Sequence, residues 1–210
     1  MILAQILAVI IFALGREFGS GGHYVAQKIA QDLGLNYYDR KMLEDIAEEK
    51  NIRIEYLEKY DEKKGKVILF RNVRGYTNSL EEIVAEIQFE YLKKKAAAGE
   101  SFVIVGRCAD EIFRGDKRLI SIFVLGDKED KIRRVRERHQ ISRDEAYAKM
   151  KWNDRERKRY HNRHSEIKWG DSRGYDICIN SSKLGISKTA EILESYIKER
   201  TGLSFTDKEE

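Results

Sequence analysis

The 210-residue chain contains no proline, which excludes proline-rich linkers and turns built on an X–Pro bond. Cysteine is almost as scarce. Cys108 and Cys178 stand alone, without the spacing of a disulfide framework or a metal site. They suit a reduced, cytoplasmic setting, with both thiols expected to be buried as small hydrophobes. A long hydrophobic run is also missing. Met1–Leu14 is apolar apart from Gln5 but then breaks into glycine and charge, short of the about 20 residues a membrane helix needs. The same segment has neither the basic start nor the small-residue cleavage site of a signal peptide. Finally, a large charge of one sign is lacking. Forty Lys and Arg against 36 Asp and Glu leave only +4, so any functional charge has to be local.

What is present is a folded domain's composition, 41% hydrophobic and 10% aromatic, on a chain long enough for one domain with a full-sized core. Buried strands alternate with amphipathic helices along it. The second half of Met1–Leu14 reads as a first buried strand, since parallel strands covered on both faces are continuous apolar runs. Val25, Ile29 and Leu33 mark one face of a helix that Gly34 stops. L-N-Y-Y-D is a short strand ending at Asp39, followed by a helix through Met42, Leu43 and Ile46. Residues 53–77 are charged and irregular. Ser79 and Glu82 form a capping box for a helix carrying Leu80, Ile83, Val84, Ile87 and Tyr91 on one face and ending at Gly99. S-F-V-I-V-G-R and L-I-S-I-F-V-L read as buried strands. Asp127 opens a basic helical region, and Ser142 with Glu145 caps a second basic helix. Y-D-I-C-I-N is a last strand, and a helix runs from Ser187 to about Arg200. Such alternation predicts a doubly wound parallel sheet, whose ligands sit beyond the carboxyl ends of the strands.

The most informative stretch follows the first strand: G-R-E-F-G-S-G-G-H, residues 15–23, running into a helix. Glycines let successive N–H groups point at an anion, and the helix N-terminus adds partial positive charge. Gly19, Ser20, Gly21, Gly22 and His23 are therefore candidate phosphate-binding residues. The spacing approaches G-x-x-x-x-G-K-[ST] without matching it. Arg16 falls on the first glycine, Gly22 on the lysine and His23 on the hydroxyl. Arg16 is a candidate substitute for the missing lysine, because a guanidinium suits bidentate contact with phosphate. Asp39 and Arg107 also lie just past strand ends. Asp39 is equally suited to cap the helix after it, and Arg107 to a structural ion pair, with Asp110 as one partner.

The order R-E-F-G-S-G-G-H, Y-Y-D-R, V-I-V-G-R-C-A-D, a basic region, then W-G-D-S-R-G-Y-D-I-C-I-N-S-S resembles the cytidylate-kinase-like branch of the P-loop nucleotide kinases over nearly the whole chain. The resemblance implies an α/β fold, a three-layer doubly wound parallel sheet of the P-loop nucleoside-monophosphate kinase type. Residues 1–210 would then be one domain, with 127–170 as a helical lid. It implies transfer of the γ-phosphoryl of ATP to a nucleoside monophosphate such as CMP or dCMP, with Mg2+ and no dedicated protein metal cluster. It further implies catalytic roles for Asp39 and for lid arginines, with Arg155 and Arg157 singled out. Arg107 and Arg133 would bind the acceptor, and Asn180, Ser181 and Ser182 would lie near the donor base. The chain departs from the kinase pattern at the loop lysine and at Cys108, where G-R-D has aspartate.

Two other functions remain open: a degenerate nucleotide- or anion-binding module without turnover, and a nucleic-acid binder stacking bases on Trp152, Tyr160 and Trp169. Glu137, Glu145, Asp154 and Glu156 interrupt the basic helices. Neither nucleic acid nor membrane is therefore the expected partner; a small-molecule nucleotide is.

Overall fold

The computed structural model describes residues 9–39, 46 and 80–202. Five parallel strands form one sheet in the order β2-β3-β1-β4-β5. They are β1 (Ile11–Arg16), β2 (Asn36–Tyr38), β3 (Phe102–Val105), β4 (Leu119–Leu125) and β5 (Ile177–Asn180). The helices are α1 (Gly22–Asp32), α2 (Leu80–Ala97), α3 (Ala109–Ile112), α4 (Lys128–His139), α5 (Arg143–His164) and α6 (Ser181–Thr201).

Alternation along each central strand builds two apolar layers. Ile11 and Ala13 of β1, with Phe102 and Ile104 of β3, face α2 and α3 through Tyr91, Leu92, Ala96 and Ala109. Phe12, Leu14, Val103 and Val105 face α1 and α6 through Val25, Ile29, Ala190, Leu193 and Ile197. Burial, not surface charge, seats these helices. Each fully buried Val or Ile stabilises by roughly 1.5–3 kcal/mol, against well under about 1 kcal/mol for an exposed pair such as Lys28–Asp32.

The strand order leaves a crevice. Chain leaving β1 enters α1 on one face, and chain leaving β3 enters α3 on the other, so the carboxyl ends of these paired strands open between them. Beside this crevice, α4 and α5 pack through a small core of Ile132, Val135, Ala146 and Met150, into which Phe18 of the glycine loop is tucked. Both halves of the predicted Ser142–Glu145 capping box are present.

Three differences from the sequence reading have physical causes. A short helical turn over residues 181–184, absent from the sequence reading, precedes the last helix: Asn180 caps it, and Gly185 (φ 77°, ψ 171°) is non-helical and separates it from the helix expected from Ser187. The four-residue α3 is too short to show a periodicity. Cys178 is exposed rather than buried, in contrast to Cys108; β5 is an edge strand with only partial cover. Ser79 and the side chains of Leu80, Glu82, Ile83 and Val84 lie outside the described residues. So do residues 40–45, 53–77 and 203–210. Ile46 is helical and buried, as its place in the apolar pattern predicts.

Candidate active site

The glycine loop closes on itself by local chemistry. Gly19 and Gly21 have φ of 82° and 81°. A Cβ at Gly19 would meet the Lys131 carbonyl at 2.8 Å, and one at Gly21 would meet Ile186 at 2.9 Å. Both positions thus need glycine for conformation and for space. Ser20 is fully buried. Its hydroxyl donates to the Glu17 carbonyl at 2.9 Å, and its own carbonyl accepts from the Ser181 hydroxyl and from Arg134 Nη1. Gly21 supplies no side-chain cap to α1, Gly22 N–H lies 3.4 Å from Ser20 Oγ, and Gly21, Gly22 and His23 line the crevice. The first backbone bond back is Val25 N–H to the Gly21 carbonyl, at 3.1 Å.

Further contacts fasten this loop to the basic helices and to the end of β4. Phe18 N–H donates to Asp154 Oδ1 at 2.6 Å, and Arg157 Nη1 donates to the Arg16 carbonyl at 3.1 Å. Glu17 accepts from Lys131 Nζ at 2.7 Å and from Gly126 N–H at 3.1 Å. Burial pushes the Asp154 carboxyl above its ordinary range, opposed by the Phe18 N–H and by Lys131 and Arg157.

Arg16 occupies the place where the loop pattern departs from G-x-x-x-x-G-K-[ST]. A Cβ at Gly22 would lie 2.8 Å from Arg16 Cβ and 3.3 Å from its Cγ, and the Arg16 guanidinium lies against Gly106 at the end of β3. The arginine stem thus fills the space of a side chain at position 22, and its charge reaches across the mouth of the crevice. On the far side, Arg107 (φ 59°) and Cys108 (φ 51°) follow Gly106 (φ 79°) with positive φ. Left-handed backbone at a non-glycine residue costs roughly 1–2 kcal/mol. That conformation turns Arg107, only 6% exposed, into the lining of the cleft.

The resulting cleft is about 760 Å³ and is lined by Arg16, Gly19, Gly21, Gly22, His23, Asp39 and Arg107, among others. Six cationic side chains (Arg16, Arg107, Arg134, Arg138, Lys149, Arg157) face three carboxylates (Glu17, Asp39, Glu137), a local surplus of three positive charges. His23 Nδ1 pairs with the Tyr37 hydroxyl at 2.8 Å and lies 3.9 Å from Asp39 Oδ2. Burial lowers the His23 pKa, Asp39 opposing and Arg138, Arg16 and Arg157 assisting. Burial, reinforced by Asp39, raises that of Tyr37.

Several predicted residues stand elsewhere. Arg133 points to solvent, its side chain 62% exposed and paired with Asp130 at 2.7 Å. Arg155 is exposed and outside the cleft lining. Asn180 caps α6 by accepting from Ser182 N–H at 2.9 Å and donates to Asp127 at 2.8 Å. Ser182 Oγ accepts from Asp127 N–H at 2.9 Å, and Ser181 bonds the Ser20 carbonyl. These three residues fasten the turn to the loop and to the end of β4, and none of them lines the cleft. Asp110 meets His161 at 2.7 Å. The sequence reading passed over Tyr24, Lys149 and Trp152 as cleft residues and did not single out Arg134 and Arg138. The signal for the two arginines is helical spacing: they flank the buried Lys131, Ile132 and Val135 stripe of α4.

A parallel five-stranded sheet with helices on both faces, a glycine loop after the first strand and a cationic cleft at the carboxyl ends define an α/β protein of the nucleoside-monophosphate-kinase type. Comparison with known proteins narrows the class. Residues 11–183 match the model of the cytidylate kinase-like family, and the chain belongs to that family. It is 24% identical over 191 residues to a cytidylate kinase of Methanococcus vannielii, covering 90% of this chain and 99% of that protein. Among solved structures it is similar to an uncharacterized protein from Eubacterium ventriosum, with 38% identity and a TM-score of 0.71 over 90% of this chain and 98% of that one. A shikimate kinase from Bacteroides thetaiotaomicron shares the fold at 13% identity and a TM-score of 0.53, covering 90% and 98%. Among the described residues no helix is long and apolar enough to cross a membrane.

Proposed function

We propose that the protein transfers the γ-phosphoryl group of ATP to a nucleoside monophosphate, CMP or dCMP, in the cytoplasm. The observation that carries this reading is the placement of Arg16. Its stem takes the space vacated at Gly22, the first residue of α1, and its guanidinium lies against Gly106, directly before Arg107. Backbone N–H groups of the loop and α1 hold donor phosphates. Arg107 holds the phosphate of the acceptor. Arg157, singled out in the sequence, and the cleft-lining Arg134 and Arg138 neutralise charge on the transferred group in place of Arg155, and Arg133 leaves the acceptor end to Arg107. An acceptor oxygen attacks the γ-phosphorus as the bond to the β–γ bridging oxygen breaks, giving ADP and a nucleoside diphosphate. Little covalent work falls to the protein in such a reaction; positioning and neutralisation of charge are its contribution.

Mg2+ is compatible with the donor set. The ion takes one or two carboxylates and completes its shell with phosphate oxygens and water, and Asp39 offers a cleft carboxylate beside His23. When bound, the ion offsets charge on the β- and γ-phosphates. Asp39 also accepts a hydrogen bond from the acceptor and sets the orientation of Tyr37 and His23.

The test is ATP turnover with magnesium against a panel of nucleoside monophosphates, following ADP and phosphorylated product together. Product from CMP or dCMP is expected. Confirmed ATP binding with no product from any acceptor would instead favour the binding-module reading, which rests on the absent lysine and hydroxyl at Gly22 and His23.

A further inference from the structure

The Asp110–His161 pair lies outside the cleft lining, and none of the roles assigned above uses it. His161 is 5% exposed, and its Nε2 meets Asp110 Oδ2 at 2.7 Å. Its Nδ1 has no hydrogen-bond partner among the described residues. A buried imidazole with one nitrogen unmatched fills space at a cost an aliphatic side chain would avoid. Its polar contact therefore asks for a use. That contact falls on the first turn of α3, directly after Gly106, Arg107 and Cys108, three successive residues with positive φ. The same end of α5 touches this segment twice more. Cys108 Sγ lies 4.0 Å from the His161 carbonyl, and the Ser165 hydroxyl donates to Glu111 Oε2 at 2.6 Å. Farther up the same helix, Asp154 and Arg157 hold the glycine loop.

We propose that His161, acting through Asp110, is the positioning residue for Arg107. Its contact anchors α3 so that the left-handed turn keeps the guanidinium aimed into the cleft, at a fixed distance from the loop that the same helix holds. The inference rests on the reading of Arg107 as the acceptor-phosphate ligand. It adds that α5 is a strut between the two ends of the cleft, not only a cover over one of them.

The experiment uses the whole chain labelled with 15N-arginine, with the Arg107 Nε–Hε resonance assigned by its loss in Arg107→Lys. His161→Ala is expected to shift or broaden that resonance and leave those of Arg118 and Arg200, bonded elsewhere to Asp116 and to the Leu119 carbonyl, in place. His161→Gln, whose side-chain N–H can still reach a carboxylate, is expected to restore it. With CMP as acceptor, His161→Ala should raise the acceptor KM and spare that of ATP. A misplacement of about 1 Å can cost on the order of 100-fold in rate. In an Arg107→Ala background His161→Ala should then add nothing. An Arg107 resonance indifferent to His161→Ala, or additive effects in the double variant, would overturn the proposal. If His161→Ala does not fold, Asp110→Ala, which removes the same contact from its other end, carries the same readings. A displaced resonance in a protein that phosphorylates no monophosphate would overturn the acceptor reading and leave the positioning role intact.

Discussion

At position 22 the chain has glycine because arginine 16 is already there. The two departures from the usual phosphate-loop pattern are one event: the stem of Arg16 lies where a side chain on Gly22 would begin. Restoring the pattern's lysine should therefore fail. Gly22→Lys is expected to displace Arg16 and lower turnover, and a variant more active than the parent would show that Arg16 does not replace the lysine. Arg16→Ala should reduce kcat by roughly 100- to 1000-fold, the usual consequence of removing a donor aimed at transition-state charge. Full activity in that variant would remove Arg16 from the site. The candidacy of Arg16 was legible in the sequence, since it stands on the pattern's first glycine at the start of the loop and a guanidinium suits phosphate. Lys28, as many residues from Gly22, is instead paired with Asp32. The partnership of Arg16 with Gly106 was not legible, because that contact joins residues 90 positions apart through the pairing of β1 with β3.

At the scale of elements, the strands and most helices were legible because the central strands are buried on both faces and read as apolar runs. The choice among arginines of the basic region was harder, since charge alone does not say which side of a helix faces inward. On α5 the buried positions are Ala146, Met150 and His161, a stripe that passes through Asp154 and Arg157 and leaves Arg155 outside. Three- and four-residue spacing along that stripe keeps Arg157, which the sequence reading singled out, and rejects Arg155. Asp154, on that stripe, gives a pH-dependent prediction. Its folded pKa is raised by burial, so the folded state binds the proton more tightly than the unfolded state. Stability associated with this group is therefore present at low pH and is lost as pH rises from the unfolded carboxyl value, near 3.8, through the folded one. Asp154→Asn keeps an acceptor for the Phe18 N–H and removes the charge. It should raise Tm at neutral pH, with the gain fading as pH falls toward the carboxyl range. A gain that does not change between pH 7 and pH 4 would show that the charge of Asp154 has no part in it.

For the whole molecule the question is whether the cleft has two ends with separate duties. Loop and helix N-terminus lie at the end of β1, Arg107 lies at the end of β3, and those strands are neighbours whose following helices cover opposite faces of the sheet. A ligand that binds only the folded state stabilises it by RT ln(1 + [L]/Kd), about 2.7 kcal/mol at 100 times Kd. For a chain of this size that corresponds to a rise in Tm of roughly 5–11 °C. ATP should produce that shift in the parent protein and in Arg107→Ala alike, because Arg107 is assigned to the acceptor, whereas Arg16→Ala should lose most of it. CMP should show the reverse dependence, its smaller shift vanishing in Arg107→Ala. The shift requires binding but no turnover, so it separates the geometry of the cleft from its chemistry. Loss of the ATP shift in both variants would mean that the six cations act as one undivided anion site. The division into donor and acceptor ends, and with it the case for phosphoryl transfer between two nucleotides, would then fall.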